Sequence, residues 1–237
     1  MRKENRRIKT YYKSRNQDTN NVKYSYLDTG NLYIIQSRER KLLRIINEIG
    51  VKDLSAKNIL DIGCGSGNAL RNMVQYGAKP KHLFGLDLFS DRIKKARELS
   101  SDIDFVKGDA ISLPYRSRYF DIVTQFTVFT SILEMKVKQE IAKEMVRVLK
   151  KDGYIFWYDM RVTNPADKNL KSIGKREIKD LFVSCDVKFY SVTLNPFISR
   201  RLANISIILC NLLEKIGVFN SHYFAVIKKS KLQKQGG

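Results

Sequence analysis

Histidine is nearly absent from this 237-residue chain, where His82 and His222 are the only two. Cysteine is scarce as well. Cys64, Cys185 and Cys210 form an odd set with no Cys-x-x-Cys and no Cys/His metal spacing. That argues against a zinc module, a disulfide framework and a three-cysteine iron–sulfur cluster, and no metal is expected. Reduced thiols point to a cytoplasmic protein. Long apolar runs are also missing. Residues 202–213 come nearest, but Asn204 and Asn211 interrupt them, and they fall short of the roughly 20 residues needed to span a bilayer. The basic start, residues 1–17, is followed by no apolar run, so no signal peptide is read. Internal repeats and low-complexity segments are lacking. The expectation is a cytoplasmic protein, with peripheral contact at a membrane left open.

Acidic residues are few relative to basic ones, and the formal charge is +20. The excess is uneven. Residues 1–17 carry a net +6 and residues 161–237 a net +9, leaving +5 for the whole of 18–160. Two basic ends around a nearly balanced centre suit an anionic partner, such as nucleic acid, acidic lipid or a phosphorylated substrate. A lysine-rich solvated surface explains the same numbers. With 43% hydrophobic residues the chain is long enough and apolar enough for one α/β domain.

Residues 1–20 are polar, basic and aperiodic, and read as a flexible basic arm. Residues 21–237 read as a single domain, with a core at 57–160 and a substrate or lid region at 161–229. Apolar residues at 35, 42, 43, 46 and 49 mark an amphipathic helix ended by Gly50. Strands and helices then alternate. Strands are expected at 58–62, 82–86, 103–106, 120–126 and 154–159, and helices at 68–76, 91–99 and 136–149. Beyond Met160 the spacing predicts a helix at 175–183, a strand at 187–194, one long helix at 197–216 and a strand at 222–227. The implied fold is α/β: a Rossmann-like seven-stranded, mostly parallel sheet with an antiparallel last strand. Helices cover both faces, and a helical insertion precedes the last strand.

The strongest local signal is Leu60-Asp61-Ile62-Gly63-Cys64-Gly65-Ser66-Gly67, which follows a strand and opens a helix. Its glycines permit a tight turn and a close approach of backbone to ligand. The spacing is Gly-x-Gly-x-Gly rather than the Gly-x-Gly-x-x-Gly of dinucleotide sites, and Asp61 precedes it by two residues. Asp87 ends the second strand, where a carboxylate binds both hydroxyls of a ribose. Asp109, in Lys107-Gly108-Asp109-Ala110, ends the third, where an acid can accept from an adenine amino group. One such acid is readily a turn residue. Three acids on successive strand ends, with a glycine turn at the first, make a specific constellation.

On these residues, positions 57–160 resemble the core of class I S-adenosylmethionine (SAM)-dependent methyltransferases. The resemblance implies that SAM is the cofactor and S-adenosylhomocysteine the product. It implies that Asp61, Gly63, Cys64, Gly65 and Gly67 hold the methionine end, with Asp61 suited to the ammonium. Asp87 would bind the ribose, Leu88 would pack on adenine, and Asp109 with Ala110 would read the adenine edge. The strand ending at Gln125 would open onto the substrate cleft, with Gln125 counted among the cofactor-binding residues. The segment from Glu144 to Gly153 resembles the family's approach to strand five, with Asp152 where proline is commoner. A narrower resemblance covers about residues 28–229. Gln125-Phe126-Thr127-Val128-Phe129, Trp157-Tyr158-Asp159, Leu194-Asn195-Pro196-Phe197 and Ser221-His222-Tyr223 look like bacterial methyltransferases associated with surface polysaccharides.

The acceptor is narrowed by exclusion. Thr124-Gln125-Phe126-Thr127 stands where base-amine methyltransferases carry Asn/Asp-Pro-Pro-Tyr, and no cysteine has the setting of a pyrimidine-C5 nucleophile. An oxygen, or less readily a nitrogen, of a small molecule or glycan precursor remains, anionic or lipid-linked if Arg161, Arg200 and Arg201 line its pocket. Asp159, at the carboxyl end of strand five, and His222, at the start of the last strand, are the candidate bases. Other readings stay open. An RNA methyltransferase would use the basic surface, though no RNA-binding module is visible. A non-catalytic SAM-fold subunit would not need three intact acids. A NAD-dependent dehydrogenase would bind NADH instead of SAM.

Overall fold

The computed structural model describes residues 2–17, 25–163 and 165–230. Helices α1 (Arg2–Gln17) and α2 (Thr29–Glu48) lead into β1 (Ile59–Ile62), α3 (Asn68–Gln75), β2 (Leu83–Asp87), α4 (Ser90–Leu99), β3 (Asp104–Lys107) and β4 (Phe120–Phe126). Then come α5 (Met135–Val148), β5 (Leu149–Met160), α6 (Lys175–Leu181), β6 (Cys185–Leu194), α7 (Pro196–Leu202), α8 (Ile207–Ile216) and β7 (Asn220–Lys229). The sheet order is β3-β2-β1-β4-β5-β7-β6. β1 to β5 pair in parallel, and β7 runs antiparallel between β5 and β6.

Side-chain alternation along the central strands separates two apolar layers. Ile59, Ile122, Phe156 and Phe224 meet Leu42 and Ile45 of α2, Met73 of α3 and Ala96 of α4. Leu60, Ile62, Val123 and Trp157 meet Met145 of α5, Ile178 of α6 and Ile8 of α1. The order reverses between β1 and β4, so the crevice at that switch point opens at the carboxyl ends of the strands. Ligands bind there in such sheets.

Three expectations are corrected. The arm at 1–20 is a helix over Arg2–Gln17, docked through Ile8 against the α5 layer; residues 1 and 18–20 of that arm lie outside the described residues. Its apolar contribution is too sparse to register as a periodic stripe. The helix at 197–216 is two. Ser206 breaks it, its hydroxyl accepting from the Leu209 amide as the N-cap of α8. The strand expected at 154–159 begins at Leu149, so Asp152-Gly153 lies inside β5, where the register with β4 jumps from Phe120↔Leu149 to Ile122↔Tyr154.

Candidate active site

Three glycines shape the turn after β1. Gly63, Gly65 and Gly67 have φ of +69°, +56° and +84°, a region costly for any residue with a Cβ. A Cβ on Gly63 would lie 2.4 Å from Val128 Cγ2, and one on Gly67 would lie 2.6 Å from the Phe105 ring. Around Gly65 there is open space within 4 Å of such an atom. Gly63 and Gly67 are therefore pinned by packing, while Gly65 presents bare backbone to a ligand.

Asp87 fastens this turn. Its carboxylate accepts from the Gly65 amide at 2.8 Å and the Phe89 amide at 2.9 Å. Burial raises its carboxyl above the ordinary range, and those two amides oppose the rise without cancelling it. Each oxygen keeps a lone pair for a further donor. Asp109 accepts from the Ile111 amide at 3.2 Å and from the Asn5 side-chain amide of α1 at 2.5 Å.

Gly63, Asp87, Leu88, Asp109 and Ala110 line one cavity of about 410 Å³, together with Ile62, Val128, Ile132 and Ile141. Small-molecule sites commonly enclose ~300–1,000 Å³. Helix α1 closes one side of it with Asn5, Ile8, Tyr12 and Arg15. Tyr12 bonds the Ser131 hydroxyl at 2.7 Å and meets the Phe89 ring edge-on, and the Arg92 guanidinium lies 4.7 Å from the centroid of Tyr12 and 4.5 Å from that of Phe89. Glu4 anchors the start of α1, accepting from the Leu133 amide at 2.6 Å and pairing with Arg7. Burial works to raise its carboxyl, but Arg7 and the Leu133 amide outweigh burial and leave it lowered.

The remaining expected cofactor residues lie around this cavity rather than in it. Cys64 and Gly65 border an adjoining depression with Ser66, Asn68, Arg92 and Lys95. The Cys64 thiol is buried beside Asp61 and Asp87, and burial pushes it far up, so it is not a nucleophile. Gly67 is closed off behind Phe105. Asp61 departs from its expected place at the lip. Alternation turns Ile62 into the cavity and Asp61 to the opposite face, where it is buried and accepts from the Thr124 hydroxyl at 2.7 Å. Burial pushes its carboxyl up to about 7, against that bond and the Arg38 charge. Gln125 is buried too. Its Oε1 accepts from the Val128 amide at 3.1 Å, shaping the exit of β4.

The two candidate bases are not brought together. Asp159 and His222 lie on opposite faces of the sheet, because Met160, not Asp159, is the register partner of His222. Neither lines the cavity. Asp159 holds a turn: its oxygens accept from the Thr130 and Met160 amides at 3.1 and 2.9 Å. Burial pushes its carboxyl up to about 7, and these amides pull against it. His222 stacks on Tyr158, with centroids 4.5 Å apart and planes 6° apart, and its Nδ1 lies 2.8 Å from the Ser221 hydroxyl oxygen. Burial and the Arg38 charge push its imidazole down to about 3. A base that weak accepts a proton poorly near neutral pH. Both residues therefore read as positioning residues. Arg161 donates to the Val218 carbonyl at 2.9 Å, and Arg200 packs against Gly30, so neither lines the cavity.

Sequence reading missed the α1 residues and Thr127. Thr127 lines the cavity with φ of +59°, an outlier for a β-branched residue and a form of strain concentrated at functional sites. Its amide donates to the Tyr158 carbonyl at 2.7 Å. No local pattern in Gln125-Phe126-Thr127 announces this conformation.

A parallel sheet with a bare glycine turn after β1, and carboxylates after β2 and β3 aimed into one cavity, defines a Rossmann-like domain for an adenosyl cofactor. Residues 60–157 match the family model described as a methyltransferase domain. Norajmaline N-methyltransferase of Rauvolfia serpentina is 31% identical over 153 residues, which is 61% of this chain and 49% of that protein. Phthiotriol/phenolphthiotriol dimycocerosates methyltransferase of Mycobacterium tuberculosis is 35% identical over 136 residues, 53% of this chain and 49% of that protein. The chain spans about half the length of the curated relatives it matches. Geranyl diphosphate C-methyltransferase of Streptomyces coelicolor, solved with Mg2+, geranyl diphosphate and S-adenosylhomocysteine, has the same fold. Its TM-score is 0.59 at 12% identity, covering 80% of this chain and 76% of that one. Residues 60–157 thus resemble a methyltransferase domain in sequence, and the fold around them agrees.

The cavity suits SAM on its own geometry. Asp87 has lone pairs that would suit the ribose hydroxyls, Asp109 a carboxylate that would suit the adenine amino group, and Leu88 and Ala110 add apolar surface to the same cavity. No group of three or more His, Cys, Asp or Glu residues suited to a metal ion occurs among the described residues.

Proposed function

We propose that the protein transfers a methyl group from SAM to an oxygen, or less readily a nitrogen, of a small acceptor such as a glycan precursor. The observation that carries this reading is the cavity walled by Gly63, Asp87 and Asp109 and flanked by α1. A pocket of that size flanked by a helix favours a small acceptor over folded RNA. SAM bound there supplies an electrophilic sulfonium methyl. The chain's own part is to orient it, with Asp87 on the ribose and Asp109 on the adenine, and to exclude water with the apolar side chains of Ile8, Ile132 and Ile141. Placement of the acceptor close to the methyl then provides most of the acceleration. Among the described residues no imidazole or lysine lines the cavity. The acceptor therefore arrives ionised, or its methylated atom sheds the proton to solvent after transfer.

Titration calorimetry with SAM, S-adenosylhomocysteine and NADH tests the reading. Wild-type protein should bind the first two and not NADH. Asp87→Ala should weaken S-adenosylhomocysteine at least ~30-fold, since a pair of charge-assisted hydrogen bonds is lost. Tight NADH binding, or an unaffected Asp87→Ala variant, would overturn it. RNA binding that falls steeply with salt, together with methylation of that RNA, would favour the nucleic-acid alternative.

A further inference from the structure

Helix α8 is turned inside out. Its one acid, Glu214, points inward and accepts from the Tyr33 hydroxyl at 2.6 Å, the Thr193 amide at 2.9 Å and the Ser37 hydroxyl. Its apolar residues point outward: Ile208 is 74% exposed, Ile216 62% and Leu212 52%. Cys210 is the one fully buried residue of the helix. Ile205 before it, Val218 after it and Phe197 on α7 are exposed as well. A helix on a water-facing surface ordinarily shows its polar residues to solvent, and exposed apolar side chains grouped along one helix and its flanks mark a contact surface.

Its charge says which contact. From residue 196 to residue 219 the only acid is the inward Glu214, while Arg201 and Lys215 are exposed. The Arg201 guanidinium lies 3.8 Å from the Phe197 ring centroid, so charge and apolar surface adjoin. A second copy seated on this face would bring basic groups together with no outward acid to neutralise them. An anionic lipid surface meets both features. The register pairs Leu194 of β6 with Asn220 of β7, and His222 of β7 with Met160 of β5. That sets α7 and α8 at the edge of the sheet where β5 ends, the edge on which the glycine turn and the cavity open.

We propose that the α7–α8 cap is a docking face for an anionic membrane. Ile205, Ile208, Leu212 and Ile216 enter the boundary between headgroups and acyl chains, and Arg201 and Lys215 meet lipid phosphates. The proposal stands on this surface alone and does not rest on the methyl-transfer reading.

The test is flotation of the full chain with phosphatidylcholine vesicles, with and without phosphatidylglycerol, at about 0.15 M salt. The expected result is binding to the anionic vesicles only. Ile208→Ser/Leu212→Ser changes no charge and should lower partitioning at least ~10-fold. Arg201→Gln/Lys215→Gln should lower it about 10-fold or more. Both variants should keep the wild-type circular dichroism spectrum and urea unfolding midpoint within ~0.5 M, which reports intact folding separately from the lipid readout. If either double variant is unstable, Ile205→Ser/Val218→Ser, in the flanking turns, makes the same test. Three outcomes would overturn the proposal. Wild type fails to float, or the serine variant floats as well as wild type because charge elsewhere adsorbs the protein. Alternatively, wild type is a dimer that the serine variant converts to monomer, which would make the face a contact between copies.

Discussion

Gly63 and Gly65 have similar backbones but different surroundings, and their substitutions should separate folding from cofactor binding. Gly63→Ala drives a Cβ into Val128 on top of a left-handed backbone, and should cost about 2–4 kcal/mol in urea unfolding. Gly65→Ala meets nothing and carries only the backbone penalty, roughly 1–2 kcal/mol. Its Cβ narrows the depression that adjoins the cavity and sits on the turn that Asp87 ties, so S-adenosylhomocysteine affinity should fall at least ~10-fold. Equal folding costs would mean that Val128 yields and does not pin the turn. These glycines, with Asp87 and Asp109, were legible in the sequence because each backbone role restricts residue type. Asp61 was legible as a functional-looking acid but not as a buried one. A single-residue alternation decides its face, and the motif alone does not reveal which face the cavity opens on. Asp159 and His222 failed in the same way. Their strand ends were read correctly, but the register that sets them on opposite faces is a property of the paired strands.

At the scale of elements, α1 is the least foreseeable part. Its sequence is dominated by charge, and Ile8 is its one fully buried apolar residue among those described. What holds it is specific bonding: Glu4 to the Leu133 amide, Tyr12 to Ser131, Asn5 to Asp109 and Tyr11 to Asp167. A helix held this way over a cavity is a natural gate. Tyr12→Ala removes the ring beneath Arg92 and the bond to Ser131, and should speed release of S-adenosylhomocysteine about 10-fold in stopped-flow experiments. Amides of α1 should gain hydrogen-exchange protection when that ligand binds wild type. An unchanged release rate would mean that the helix does not control exit. By contrast, the alternating strands and helices from β1 to β5 were readable from periodicity and turn residues, because each segment buries one face against the sheet.

The molecule as a whole has interior titratable groups that pull stability in opposite directions with pH. His222 binds its proton at about 3 in the folded state against 6.5 ordinarily. As pH falls the unfolded chain takes up that proton first. The contribution of His222 is therefore complete above pH 6.5 and is lost progressively toward pH 3. Asp61 and Asp159, raised to about 7, do the reverse: their contribution is complete below about 3.8 and lost as pH rises through 7. The His222→Phe variant keeps a ring over Tyr158 and removes the titration. Its stability relative to wild type should therefore rise by about 2–3 kcal/mol between pH 7 and pH 4.5, measured by urea unfolding at each pH. A difference that stays flat with pH would mean that His222 is solvated.

The bond from the Gly65 amide to Asp87 has a consequence for binding. A glycine-rich turn left to itself would sample many shapes, and a ligand would have to freeze it on arrival. Here the acid assigned to the ribose already ties the turn from below. The entropy of ordering is spent during folding, before any ligand is present. Capture then requires no shaping of the turn, so ordering this segment does not subtract from the affinity of whatever binds there.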